Sequence, residues 1–169
     1  MIASNELDPY YFVDTAKMLF DLVVEVKRTL DVRIEFVNIG GGIGIPYQPG
    51  QPAFDRRALA AEIHAALALF RRDHDYAPRL FMECGRCMTG PHGVLVTRVI
   101  NHKDIYRRYV GVDACMSALM RPAIYGAYHH ISAPAYANGG PRQVVDVVGA
   151  LCENNDKFAV QRELPLVAE

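Results

Sequence analysis

A chain of 169 residues, 51% of them apolar, is long enough for one sizeable core and holds no low-complexity stretch that would suggest disorder. Its net charge of -1, with basic residues scattered along the chain, gives no electrostatic footprint for nucleic acid or an anionic membrane. No apolar run approaches a bilayer span and the first residues do not resemble a secretory signal, so a cytoplasmic location is expected, with Cys84, Cys87, Cys115 and Cys152 as free thiols.

The first predicted element is a helix. Asp8-Pro9 is a capping pair, and Asp14, Lys17, Asp21, Glu25 and Arg28 form a charged stripe while Phe12, Leu19, Leu22, Val23 and Val26 fill the other faces, which predicts a helix ending near Leu30. Residues 33–39 read as a buried strand that breaks into Gly40, Gly41 and Gly42. Three bare backbone N–H groups can approach an anion closely, although a tight strand exit needs glycine for conformational reasons as well. A loop rich in Pro, Gly and Gln over 46–52 leads to Asp55, which caps a second helix with Leu59, Ile63, Leu67 and Phe70 at helical spacing and Arg71-Arg72 in its last turn. Residues 79–83 read as a second strand. Helix, strand, helix, strand is the grammar of a parallel α/β sheet or barrel. Past Gly93 the pattern changes: 94–100, 106–113, 123–131 and 143–148 all read as strands, the first rich in β-branched residues, and a further strand is expected after Lys157. The expected organisation is an α/β unit over 1–92 followed by a β-domain over 93–169.

The second chemical stretch is Phe81-Met-Glu-Cys-Gly-Arg-Cys, at the C-terminal end of the second strand. Sites in parallel α/β folds are built at that end, so Glu83 and Arg86 would face the same rim as the glycine turn, a carboxylate and a guanidinium suited to a charged ligand. The plainer alternative is a solvated pair beside a turn. Cys84 and Cys87 spell C-x-x-C, but a structural zinc site would need a second pair at similar spacing, and Cys115 and Cys152 are isolated, so no metal is expected.

Gly-Gly-Gly-Ile-Gly-Ile-Pro-Tyr at 40–47, Glu-Cys-Gly-Arg at 83–86, Val-Asp-Ala-Cys-Met at 112–116, Arg-Pro-Ala-Ile-Tyr at 121–125 and Cys-Glu-Asn-Asn-Asp at 152–156 together resemble the diaminopimelate decarboxylases in order and approximate spacing. These are pyridoxal-phosphate enzymes of the alanine racemase/ornithine decarboxylase fold group. Two departures stand out: the family's Glu-Pro-Gly-Arg reads Glu-Cys-Gly-Arg, and Cys115 stands where glycine is usual. The resemblance implies the C-terminal part of a TIM-type (β/α)8 barrel followed by the start of a β-domain. It implies that Ser4, Gly40, Gly41, Gly42, Gly85 and Arg86 hold the cofactor phosphate and that Glu83 hydrogen-bonds the pyridine nitrogen. Arg86, Arg121 and Tyr125 would take the substrate's distal carboxylate. Cys152 and Glu153 would be catalytic residues inserted into a neighbouring subunit's site, Glu153 also selecting the distal ammonium, so that the active form is a homodimer with composite sites. His129 and His130 read as structural.

The family's reaction begins with a lysine that holds the cofactor, on an early barrel strand. Lys17 and Lys27 lie on a helix, Lys103 in a polar turn and Lys157 before a late strand, so none occupies that position. The expectation is therefore an internal fragment, inactive by itself, with exposed strand edges. The alternatives are a related decarboxylase acting on ornithine, arginine or carboxynorspermidine, with Arg121 and Tyr125 arguing for a distal carboxylate and against plain diamines, and a non-enzymatic binding or complementing chain.

Overall fold

The computed structural model, in which residues 4–134 and 141–165 are described, divides the chain into two units: residues 1–46 with 51–93, and residues 47–50 with 94–169. The first unit starts with helix α1 (Pro9–Leu30), whose N-cap Asp8 accepts a hydrogen bond from the Tyr10 N–H and whose C-cap Asp31 turns left-handed at φ 55°. Phe12, Val13, Ala16, Phe20 and Val23 recur at three- and four-residue intervals and are buried. Helix α2 (Arg56–His74) is capped by Asp55, which accepts from the Arg57 and Ala58 N–H groups, and it presents Leu59, Ile63 and Phe70 to the same core. Phe20 meets Phe70 at 5.6 Å, and Phe12 meets Phe54 at the same separation. Strands β1 (Phe36–Asn38) and β2 (Arg79–Phe81) pair in parallel, Phe36 opposite Arg79 and Asn38 opposite Phe81. Both are shorter than the expected 33–39 and 79–83. Val37, Ile39 and Ile43 carry the chain from β1 into the core. Helix α3 (Gly85–Thr89), not foreseen in the sequence, follows β2.

The second unit is a four-stranded sheet in the order β3 (Val99–Asp104), β4 (Arg108–Val112), β5 (Arg142–Val148), β6 (Lys157–Pro165). The β4–β5 pair is parallel and the outer two pairs are antiparallel. Val110, Val112, Val145, Val147, Phe158, Ala159 and Leu164 form its core. The helices and parallel strands of the first unit make the fold α/β, and the sheet of the second unit mixes parallel and antiparallel ladders.

Three strand expectations are corrected here. Residues 94–98 include the β-branched Val94, Val96 and Thr97 but lie outside β3, and Val94 and Val96 are 89% and 85% exposed. Pairing begins at Val99 and runs on through Lys103, which is in a strand and not in a polar turn. The expected strand 106–113 is trimmed to β4, because Ile105 N–H donates to Arg107 O in a turn. The expected strand 123–131 is instead a short helix, α4 (Arg121–Tyr125), followed by irregular chain. Pro122 suits a first helical turn, and Gly126, left-handed at φ 59°, returns its N–H to the Arg121 and Pro122 carbonyls.

Asp113 ties the approach to β3 to the end of β4. Its Oδ1 accepts from the Arg98 N–H at 2.9 Å and from the Thr97 hydroxyl at 2.6 Å. The Arg98 backbone bond, then the Thr97 hydroxyl, holds the Asp113 carboxyl below the usual carboxylate range. A native-state pKa below the unfolded value means that the unfolded chain binds more protons. The contribution is complete above the ordinary carboxylate pKa and is lost as pH falls through the depressed one. Asp113→Asn is expected to flatten the acid limb of a plot of urea midpoint against pH; an unchanged limb would show that Asp113 carries no linkage.

Candidate functional site

In the first unit the parallel strands β1 and β2 bring two chain ends together on one rim. Beyond the strands the segments stay in contact: Ile39 N–H donates to Phe81 O at 3.1 Å and Glu83 N–H donates to Gly40 O at 2.8 Å. Gly40 and Gly42 are left-handed, at φ 75° and 106°. Gly41 is required for a different reason, since a Cβ there would lie 2.2 Å from Glu83 O. Gly41 and Glu83 thus sit at the same, C-terminal ends of their strands, the juxtaposition that the resemblance demands.

Asn38, the last residue of β1, was missed by the sequence reading. Its Nδ2 donates to Glu83 Oε1 at 2.6 Å, and its Oδ1 accepts from the Gly40 N–H at 2.8 Å. Residues 4–6 run along the glycine segment. Glu6 N–H donates to Gly42 O, Gly44 N–H donates to Glu6 O, and the Asn5 side chain bonds both the N–H and the C=O of Ile45. This strap carries Ser4 to Arg86, whose Nη2 lies 3.2 Å from Ser4 Oγ. A Cβ on Gly40 or Gly85 would meet nothing within 4 Å, so both backbones face open space. The rim therefore combines a hydroxyl, a guanidinium and bare glycine backbone, which suit an anion, with a carboxylate oriented by an amide, which suits an N–H donor. Cys84 and Cys87 flank Gly85-Arg86 as free thiols; burial, then the neighbouring Cys87, pushes the Cys84 thiol above its ordinary value. Among the described residues no cluster of His, Cys, Asp and Glu could hold a metal ion, and no helix is long and apolar enough to cross a membrane.

The second unit holds the remaining predicted residues in two separate surroundings. Arg121, the first residue of α4, has Nη1 at 3.3 Å from His129 Nε2 and Cζ at 5.0 Å from the Tyr47 ring centre. Tyr125 ends the same helix and is 74% exposed. Cys152 and Glu153 lie in the β5–β6 connection, exposed, and line an open groove with Asn101, Tyr106, Tyr109 and Lys157; neither Arg121 nor Tyr125 borders it. Asp156, 2% exposed, anchors this connection: Oδ1 accepts from the Met116 N–H and Oδ2 from the Leu151 N–H at 2.8 Å. It joins two of the sequence motifs, 112–116 and 152–156. Glu153 Oε1 accepts from the Asn155 N–H at 3.0 Å, which orders the tip. Arg86 belongs to the first unit, and Arg121, Tyr125, Cys152 and Glu153 to the second.

The chain belongs to the pyridoxal-dependent decarboxylases: residues 10–169 match the family's C-terminal sheet domain. Protein TabA of Pseudomonas amygdali pv. tabaci is 48% identical over 165 residues, which is 98% of this chain and 39% of the relative. The diaminopimelate decarboxylase of Methanothermobacter thermautotrophicus is 38% identical over 172 residues, 99% of this chain and 40% of the relative. Among solved structures, the diaminopimelate decarboxylase of M. jannaschii in complex with L-lysine is similar with a TM-score of 0.84 at 34% identity, covering 98% of this chain and 38% of that one. The chain thus spans about two fifths of the length of these curated relatives.

Proposed function

We propose that these residues are part of a longer pyridoxal-phosphate decarboxylase that converts meso-2,6-diaminopimelate to L-lysine in the cytoplasm. The observation that carries the reading is the shared rim on which Glu83, oriented by Asn38, stands beside the glycine turn, with Ser4 and Arg86 paired on the same unit. Those residues fit the cofactor: Ser4, Arg86 and the open backbones of Gly40 and Gly85, with Gly41 and Gly42 in the same turn, would hold its phosphate, and Glu83 its ring nitrogen. The two parallel strands would be the last of a (β/α)8 barrel completed by the rest of the longer chain.

Pyridoxal phosphate, when bound, supplies an electron sink for the electron pair left as carbon dioxide departs. Glu83 would accept the ring N–H and hold the proton there, an electrostatic contribution to the chemical step. Arg121 and Tyr125 on α4 would bind the carboxylate that does not react; the planar fork of arginine suits that group. The exposure of Cys152 and Glu153, and their separation from Arg121 in the second unit, support their delivery to a second copy's site, and hence a homodimer. There Cys152 would stand beside the reacting atoms and Glu153 would meet the substrate's distal ammonium.

The test uses a protein of the relatives' full length that carries these residues. It is expected to release carbon dioxide and L-lysine from meso-diaminopimelate and to leave ornithine almost untouched. Glu83→Gln should lower kcat about 100-fold, the scale seen when one preorganised transition-state contact is removed. Turnover of ornithine or another diamine precursor in preference to diaminopimelate would sink the substrate assignment. A Glu83→Gln enzyme of full activity would sink the site.

A further inference from the structure

We propose that His129 is a positioning residue for Arg121: with the Tyr47 ring it clamps the guanidinium in the orientation that receives a substrate's distal carboxylate, and it does so only while its imidazole is neutral. The proposal rests on the reading of Arg121 as the ligand of that carboxylate. A guanidinium offers five N–H donors, no acceptor, and stays protonated. The 3.3 Å contact between Arg121 Nη1 and His129 Nε2 is therefore a hydrogen bond only if Nε2 carries the lone pair, which places the imidazole proton on Nδ1.

Tyr47 closes the clamp. Its ring centre lies 5.0 Å from the His129 ring at an interplanar angle of 69°, and the Arg121 Cζ lies 5.0 Å from the same tyrosine. An edge-to-face aromatic contact and a cation–π contact thus share one ring, so three side chains fix one another. From β6, Arg162 Nη1 donates to His129 O at 3.0 Å, and its Cζ sits 4.0 Å from the Tyr128 ring centre. Tyr128 in turn bonds His130, Oη to Nδ1, at 3.3 Å. The contacts described for His129 thus bring to it Arg121 on α4, Arg162 on β6 and Tyr47, with Tyr128 and His130 beside it in the chain. Two of these carry guanidinium groups.

Positive neighbours disfavour an imidazolium. Protonation would also remove the acceptor that Nη1 uses and set like charges against each other, so the clamp opens as pH falls. With only one Nη1 N–H committed to His129, the guanidinium keeps N–H groups for a two-pronged hold on a carboxylate. An amino acid without that distal group gains nothing from the clamp. His129 therefore contributes to the choice between the two kinds of substrate.

The full-length protein, labelled with carbon-13 at histidine Cε1, tests the clamp without reference to catalysis; the His129 resonance is assigned by its absence in His129→Gln. The His129 midpoint is expected to move up in Arg121→Ala, which removes the guanidinium beside its ring nitrogen. Equal midpoints in wild type and Arg121→Ala would overturn the clamp. In kinetics on meso-diaminopimelate, wild-type KM should rise as pH falls through the His129 midpoint. His129→Gln, a neutral acceptor, should abolish that rise and keep KM at neutral pH within about threefold of wild type. His129→Lys, a cation without an acceptor, should raise KM about tenfold or more with kcat little changed, as expected for loss of a hydrogen bond to a charged group. Gln and Lys variants with equally raised KM would reduce His129 to packing and overturn the proposal. Coupled titration with KM unmoved in both variants would leave the clamp intact and instead overturn the assignment of Arg121 to the distal carboxylate.

Discussion

Gly41→Ala is expected to destabilise the first unit by about 3 kcal/mol, at the upper end of what overpacking usually costs. The added methyl would lie 2.2 Å from Glu83 O, and that oxygen belongs to backbone, so no side-chain rotation relieves the clash. The segments after β1 and β2 would have to part, and with them the Glu83 N–H bond to Gly40 O. Gly85→Ala is the matched control. A Cβ there meets nothing within 4 Å, so its stability should stay within about 0.5 kcal/mol of wild type. Urea denaturation of both variants in the full-length protein gives the comparison. Cofactor retention in Gly41→Ala, measured by absorbance after gel filtration, should fall with stability. If Gly41→Ala unfolds at the wild-type midpoint, the contact is not what holds the rim together.

The second large effect is expected at Asp156. Its carboxylate is buried and accepts from two backbone N–H groups in different loops, those of Met116 and Leu151. Asp156→Ala strands both donors away from water, at about 1–3 kcal/mol each, so a loss of about 4 kcal/mol is expected. Gly149 reinforces the point, because a Cβ at that position would lie 2.3 Å from Asp156 Oδ2, so the chain folds tightly around this carboxylate. Asp156→Asn keeps one acceptor and turns a second into a donor facing a donor; its stability should fall between the wild type and Asp156→Ala. Amide exchange over 150–155 should quicken in both variants, and decarboxylation by the full-length enzyme should fall with it, because Cys152 and Glu153 lose their seat. A stable Asp156→Ala with wild-type exchange in that loop would show that the carboxylate is not the anchor.

Both helices of the first unit were legible because their signals are local. Asp8-Pro9 and Asp55 cap within three residues of themselves, and the apolar spacing needs no partner to be read. Strand reading failed where propensity and pairing part company. Val94 and Val96 favour extended backbone but are exposed, whereas the polar run of Asn101, His102 and Lys103 is strand because β4 lies beside it. Around 121–125 the bulky Ile124 and Tyr125 outweighed the Pro122 and Gly126 that bound a single helical turn. The glycine turn and Glu83 could be found because each is conspicuous in its own neighbourhood. Asn38 could not: its amide meets a carboxylate 45 positions away, and nothing around residue 38 announces it. Tyr47 and His129 are likewise separated in the chain by everything from α2 to α4.

Asn38 also fixes when the ordering of Glu83 takes place. With Oδ1 held by the Gly40 N–H, its amide cannot turn over without losing a bond, and Nδ2 stays trained on Glu83 Oε1. The glutamate rotamer is therefore frozen during folding, before any ligand arrives. The entropy of immobilising such a side chain, about 0.5–1.5 kcal/mol, is incurred in forming the native chain and does not weaken later association.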